Sequence, residues 1–414
     1  MRIFKFGGAS IKNAEGLKNL GEVLQKEGIE DTILVISAMG KMTNAFEKII
    51  DSYLNNKSNL NSDIGFVRNF HVEIIADLFD KSNTIYSEVE ILLGQLSGFL
   101  ISNKNKDYNF IYDQIVGFGE LLSTKIVSAY LNKVDIQNTW IDVRNYIKTD
   151  SNFREALLDW EQTEHNILKL EKGKLLITQG FLGSNHKNET TTLGREGSDF
   201  TAAIFGYCLN AESVTIWKDV AGVLNADPRF FNNIELLPNI SYSEAIEMAF
   251  YGASVIHPKT LKPLENKKIP LYVRSFNNLN NKGTLVSESQ ITPLNIPCYV
   301  LKEKQILVSI STLDFSFMVE NNLSHIFEVL HKFKLKVNLI QNSAISFSVC
   351  IEDKYETFKQ FIEELESSYK MDFHKNVSLY TIRHATKKSV LDIEEKGTIL
   401  LKQHTKETVQ IVMN

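Results

Sequence analysis

Cysteine is scarce in this chain of 414 residues: Cys208, Cys298 and Cys350 are its only three, all in apolar surroundings and at no metal-type spacing. That excludes a disulfide scaffold and a Cys/His zinc site, and predicts buried free thiols in a reducing cytoplasm. No one sign of charge dominates, since 45 basic and 50 acidic residues leave a net charge of −5. Such a surface gives nucleic acid or an anionic membrane no electrostatic reason to bind. No apolar run is long enough to span a bilayer, and Met1–Lys5 enters a strand-like run without the apolar core of a signal peptide. A cytoplasmic protein is expected. The common phosphate and nucleophile motifs are missing as well. There is no Gly-x-x-x-x-Gly-Lys-Ser/Thr and no Gly-x-Ser-x-Gly, and Gly117-x-Gly119 lacks the third glycine of a dinucleotide fingerprint.

Strands and helices alternate from Arg2 to about Val286. Arg2–Phe6 and the continuous apolar run Thr32–Ile36 read as strands, the second buried on both faces. Each empties into a polar, glycine-bearing turn, Gly7-Gly8-Ala9-Ser10 and Ser37-Ala38-Met39-Gly40, before a helical pattern resumes. Residues 44–104 are helical in period, with Phe66, Phe70, Ile74 and Leu78 expected to pack. Gly117-Phe118-Gly119-Glu120 opens another helix, and Lys174–Thr178 and Ser213–Trp217 are further strands. This order predicts an α/β fold, a largely parallel sheet sandwiched by helices. Ligands of such sheets bind at the carboxyl ends of the strands.

The stretch Thr190–Ala203 is the centre of the chain. Its polar run, two glycines and Ser198-Asp199 lead into the apolar helical positions Phe200, Ala203, Ile204 and Tyr207. A glycine-bearing loop at a helix start presents unpaired N–H groups and a positive dipole end to an anion. Arg195 adds a guanidinium fork suited to carboxylate or phosphate. The alternative is a capped surface helix, with Ser198-Asp199 as caps.

Two prolines near 292–297 suggest a boundary between a domain of residues 1–296 and one of 297–414. The second reads βαββαβ, a ferredoxin-like α+β order, followed by a helix near Val390 and two more strands, as if part of a second such unit.

Lys5-Phe6-Gly7-Gly8-Ala9-Ser10, Ser37–Gly40, Gly119–Ser123, Gly194–Asp199 and Tyr251–Pro258 resemble the motifs of aspartate kinase, in that family's order and over nearly the whole chain. The last domain resembles the ACT regulatory region that follows the kinase there. The resemblance implies the amino-acid kinase fold and transfer of the ATP γ-phosphoryl to the β-carboxylate of L-aspartate, giving 4-phospho-L-aspartate, the first step in making lysine, threonine and methionine. It makes Lys5 and Asp199 catalytic, and gives the substrate to Thr43, Glu120, Arg195 and Ser198. It places ATP on Lys5, Gly7, Gly8, Ser10, Lys218, Asp219, Leu224, Arg229 and Ser254. Mg²⁺ is implied, carried mainly by phosphates, with no protein ligand named. A feedback amino acid, lysine ahead of threonine, is expected near Met318, Asn338 and Ser343, in a homodimer or larger homo-oligomer.

The sequence departs from the family at three places. Ala9 stands for a usual threonine, Glu196 for a common glycine, and Ser254 for a lysine near the ATP phosphates, with Lys259 as a possible substitute. His257 before Pro258 reads as structural. No dehydrogenase domain follows within the 414 residues. Two competing readings remain, a kinase of another amino acid or a nucleotide on the same fold, and a catalytically inactive amino-acid sensor.

Overall fold

A computed structural model describes residues 1–253, 256–288, 296–314 and 316–414. It divides into two compact units. Unit 1 comprises Met1–Val223, Leu236–Ile246 and Val255–Ile291, and unit 2 comprises Leu224–Glu235, Glu247–Ser254 and Thr292–Asn414. Leu224–Glu235 and Glu247–Ser254, which a boundary at 296/297 assigns to the first domain, therefore cluster with the second.

In unit 1 the elements run β1 (Arg2–Phe6), α1 (Ala14–Glu27), β2 (Thr32–Ile36), α2 (Met42–Asn55), α3 (Leu60–Leu78), α4 (Ile85–Ser102), α5 (Tyr108–Val116), α6 (Phe118–Lys133), β3 (Thr139–Trp140), α7 (Trp160–Ile167), β4 (Leu175–Gln179), β5 (Leu182–Ser184), β6 (Thr190–Thr192), α8 (Gly197–Leu209), β7 (Ser213–Lys218), β8 (Asn239–Ser241), α9 (Tyr242–Tyr251, which continues into unit 2), α10 (Pro258–Lys267), β9 (Leu271–Ser275) and β10 (Thr284–Ser287). An eight-stranded sheet has the order β3-β4-β2-β1-β7-β9-β10-β8, and every pair is parallel except β9–β10. Strand periodicity sorts the side chains of β1. Phe4 and Phe6 join the large core built with α1 to α6, while Lys5 points to the other face, where α8 lies. Among the described residues no helix is long and apolar enough to cross a membrane.

Residues 44–104 form three helices, as their period predicts, but Phe66 is 59% exposed rather than packed. β3 stops at Trp140, because Asp142 accepts from the Arg144 N–H and starts a 3₁₀ turn. At the start of α9 the Ser241 hydroxyl accepts from the Glu244 N–H at 3.1 Å and so caps the helix.

Unit 2 adds β11 (Cys298–Thr312), α11 (Glu320–Lys332), β12 (Lys336–Asn342), β13 (Ser346–Glu352), α12 (Phe358–Leu365), β14 (Tyr369–Arg383), α13 (Lys387–Glu394), β15 (Ile399–His404) and β16 (Thr408–Met413). Its sheet is antiparallel, in the order β12-β13-β11-β14-β16-β15. The βαββαβ order holds, with β11 and β14 each 15 residues long, so both strands also serve the terminal α13–β15–β16 portion. Phe347, Phe361, Ile326 and Leu330 fill the core under α11 and α12.

Candidate active site

Three glycine-bearing turns meet at the carboxyl ends of the central strands. Gly8 of the β1–α1 turn accepts from the Gly40 N–H at 2.9 Å, tying that turn to the one after β2. A side chain has no room there, since a Cβ on Gly8 would lie 2.5 Å from the Ala38 carbonyl oxygen. The start of α6 closes on the same turn. Glu120 accepts from the Ala38 N–H at 3.3 Å, and Ser123 donates to the Ser37 carbonyl at 2.7 Å. The segment after β4 completes the floor, with the Gly180 N–H donating to Ile36 at 2.9 Å. A Cβ on Gly180 would sit 2.5 Å from Ser198, so glycine there admits the first turn of α8.

That first turn carries the central ion cluster. Asp199 is 2% exposed and lies 2.7 Å from the Lys5 ammonium and 3.4 Å from that of Lys218. Burial by itself would raise the Asp199 carboxyl, but the two lysines outweigh it and hold its pKa below the usual carboxylate value. Asp199 therefore does not cap its helix. Position N-cap belongs to Glu196, whose side chain makes no capping bond and whose φ is +52°. A left-handed backbone at Glu196 accounts for the glycine common there in the resembling family.

Glu120 is the second buried acid. Its Oε1 takes the Ala38 N–H, and its Oε2 is buried without a hydrogen-bond partner among the described residues. Burial dominates and pushes its pKa up to about 8, only partly offset by that N–H. A helix-start carboxylate serving only the dipole would not be buried in this way. An orphaned buried carboxyl oxygen instead asks for a cationic or donor ligand.

The other expected site residues fall as follows. Thr43 lies half-buried in the first turn of α2, whose N-cap makes no side-chain bond. Ser198 is buried beside Asp199, and Arg195 is exposed on the Gly194–Gly197 loop, its guanidinium held by no hydrogen bond or ion pair among the described residues. Gly7 and Ser10 close the β1 turn by a bond from the Ser10 N–H to the Gly7 carbonyl at 3.0 Å. Asp219 follows β7 and lines a hollow of about 510 Å³ with Ser10, Lys12, Asn13, Asn19 and Phe276. Leu224 and Arg229 belong to unit 2, where Arg229 is closed on Asp227 at 2.6 Å. Ser254 lies outside the described residues. Lys259, considered as its substitute, donates to the Leu193 carbonyl at 2.9 Å and lies over the Phe200 ring. His257 caps α10 through Nδ1, which accepts from the Lys259 N–H.

In unit 2 the Met318 N–H donates to the Ala344 carbonyl at 2.9 Å, which brings the start of α11 against the β12–β13 turn. Ser343 and Ser346 share a hydroxyl pair at 2.8 Å in that turn. Asn338 is half-buried in β12. A register shift in β12 between Val337 and Leu339 turns it inward, where its amide accepts from Lys302 and donates to Gln305.

The profile of the amino acid kinase family matches residues 1–275. The lysine-sensitive aspartokinase 3 of Escherichia coli is 30% identical over 354 residues, covering 84% of this chain and 78% of its own. A bifunctional aspartokinase/homoserine dehydrogenase of Buchnera aphidicola is 29% identical over 92% of this chain, which spans only 49% of that longer relative. Among solved structures, E. coli aspartokinase III in complex with lysine and aspartate superimposes with a TM-score of 0.84 at 27% identity, over 100% of this chain and 96% of that one. The chain belongs to the amino acid kinase family and, within it, to the aspartokinases.

Proposed function

We propose that this chain phosphorylates the β-carboxylate of L-aspartate at the expense of ATP, giving 4-phospho-L-aspartate and ADP. The observation that carries this reading is the buried Asp199 carboxylate held between Lys5 and Lys218 at the ends of adjacent parallel strands, with Glu120 on the neighbouring turn. A β-carboxylate oxygen attacks the γ-phosphorus while the bond to the bridging oxygen breaks and ADP leaves with its electron pair. The acceptor is already ionised at neutral pH, so no general base is required. The barrier lies in bringing two anions together, and Lys5 and Lys218 supply positive charge for the transferring group.

In this account Asp199 keeps the two lysines from repelling one another and aims them. Arg195 forks onto the α-carboxylate, Glu120 takes the ammonium, and Thr43 and Ser198 bond the substrate. Gly7 and Gly8 cradle phosphate with backbone N–H groups and Ser10 with its hydroxyl, and Asp219, Leu224, Arg229 and Ser254 remain on the nucleotide side. Among the described residues no group of three or more His, Cys, Asp or Glu gathers to hold a metal. Asp199 is already engaged by lysines, so Mg²⁺ arriving with ATP is held chiefly through phosphate oxygens and water. The test is phosphoryl transfer from ATP to aspartate, glutamate, acetylglutamate and UMP in competition, with aspartate consumed and the others left.

The raised pKa of Glu120 gives a pH signature. Its carboxyl is mostly protonated at pH 7 in the empty site, whereas an ammonium ligand requires the anion. Aspartate binding therefore releases a proton, and KM for aspartate should fall as pH rises toward about 8 and level off above it. Glu120→Gln should raise KM for aspartate about 10- to 100-fold through loss of one charge-assisted contact, and abolish that slope. A rise in KM for ATP instead would reverse the placement of the two ligands.

Control is assigned to unit 2. Free lysine, ahead of threonine, is the proposed inhibitor, supported by the lysine-sensitive relative and by the lysine-bound structure. A homodimer is the proposed regulated unit. The effector must bind the inactive arrangement more tightly, since equal affinity shifts nothing. Millimolar lysine should inhibit the wild type, and Ser343→Ala or Asn338→Ala should weaken that inhibition. Inhibition undiminished in both variants would move the effector elsewhere.

A further inference from the structure

Asp113, on α5, is absent from every motif discussed above, yet it is one of the most enclosed acids of unit 1, with 0% of its surface exposed. Its carboxylate accepts three bonds. Oδ1 takes the Thr192 hydroxyl at 2.7 Å, and Oδ2 takes the Thr192 and Arg154 N–H groups, both at 2.9 Å. Burial raises its pKa to about 6 despite these donors, so an ionisable acid is kept where an apolar residue would pack.

The two segments it joins flank Gly194. On one side Thr192 ends β6, two residues before that glycine. On the other, a Cβ on Gly194, whose φ is +75°, would lie 3.3 Å from the Arg154 carbonyl oxygen and 3.3 Å from Glu155. The Ala156 N–H completes the join by donating to the Thr192 carbonyl at 3.0 Å. Arg154 itself has φ +72° and lies over the Tyr108 and Tyr112 rings of α5, so helix and loop grip each other from both ends. Immediately beyond Gly194 comes Arg195, which no other side chain fixes among the described residues, and then the first turn of α8.

We infer that Asp113 is a positioning residue for substrate binding: by clamping Thr192 to Arg154 it sets the Gly194 loop from which Arg195 reaches the substrate carboxylate. The inference rests on the proposed function for the substrate, and on geometry alone for the clamp. Asp113 touches neither reactant, so its loss should act on capture of aspartate and leave the chemical step and the nucleotide nearly alone.

The test compares Asp113→Ala, Asp113→Asn, Thr192→Val and, as a control on the same helix, Tyr112→Phe, which removes only the hydroxyl bonded to Glu47. Asp113→Ala should raise KM for aspartate about 10- to 100-fold, with kcat within about threefold and KM for ATP within about twofold. Asparagine can accept both N–H groups and donate to the Thr192 hydroxyl, so Asp113→Asn should restore KM to within about threefold. Thr192→Val, which deletes one of three bonds, should lie between, and serves where the alanine variant does not fold. Hydrogen exchange of the Leu193–Gly197 amides should speed up about tenfold or more in Asp113→Ala and stay unchanged in Tyr112→Phe. Wild-type enzyme that leaves aspartate unphosphorylated would remove the functional reading, and exchange would still judge the clamp. An unchanged KM for aspartate, a common fall of all kinetic constants, or equal exchange in Asp113→Ala and Tyr112→Phe overturns it.

Discussion

Lys5→Ala should lower kcat by about two to three orders of magnitude with little change in KM for aspartate. The ammonium of Lys5 is buried, sits at the end of β1 beside Gly7, and is fixed 2.7 Å from Asp199. A preorganised charge in a site closed to water needs no reorganisation when negative charge shifts on the phosphoryl group. Such charges contribute about 3–4 kcal/mol to the barrier. Lys218 stays behind as the partner of Asp199, which keeps the carboxylate from being stranded and the fold from collapsing. Steady-state kinetics beside a thermal melt separate the two effects. Near-normal turnover in a folded variant would remove Lys5 from the catalytic group.

Asp199→Asn is the second large effect, expected to lower kcat by about 100-fold or more. The neutral amide attracts neither lysine, so two ammonium groups that now share one anion would repel and splay. Breaking a buried pair by removing one partner also costs stability, up to about 3 kcal/mol here because Lys218 is partly exposed. The sign with pH follows from the depressed pKa of Asp199. Its stabilising contribution is present above the ordinary carboxylate value of 3.8 and is lost as pH falls through the lower folded value. Wild type and Asp199→Asn should therefore differ in unfolding free energy at pH 7 and converge in strong acid. A constant difference across that range would contradict the ion cluster.

Much of this was legible in the sequence. The alternation of strands and helices, and the fall of each motif at a strand end, follow from local rules of period and turn chemistry. The role of Lys5 came through the resemblance to aspartate kinase, while strand period explains only why it leaves the face taken by Phe4 and Phe6. What local rules cannot give is the partner. Ser198-Asp199 has the look of a cap, but the left-handed turn at Glu196 moves the helix start, and Asp199 goes to the lysines instead. Glu120 resembles a dipole-neutralising residue until the β2 turn is seen to close over it. Asp113 left one faint sign, a lone carboxylate among the buried positions Ile111, Tyr112, Ile115 and Val116 of α5. Its bonds run to residues 41 and 79 positions away in sequence, beyond the reach of any helical period. The partners of Asn338 were equally out of reach, because they follow from a shift of register in an edge strand that sets its amide between Lys302 and Gln305.

The central claim is that the Lys5–Asp199–Lys218 cluster and Glu120 serve phosphoryl transfer to the β-carboxylate of aspartate. It is tested most directly by trapping the acyl phosphate with hydroxylamine, using ATP, Mg²⁺ and L-aspartate. The account predicts aspartyl β-hydroxamate formed in step with ADP by the wild type, and at least about 100-fold more slowly by Lys5→Ala. ADP release without hydroxamate, or hydroxamate formed equally fast by both proteins, would contradict it.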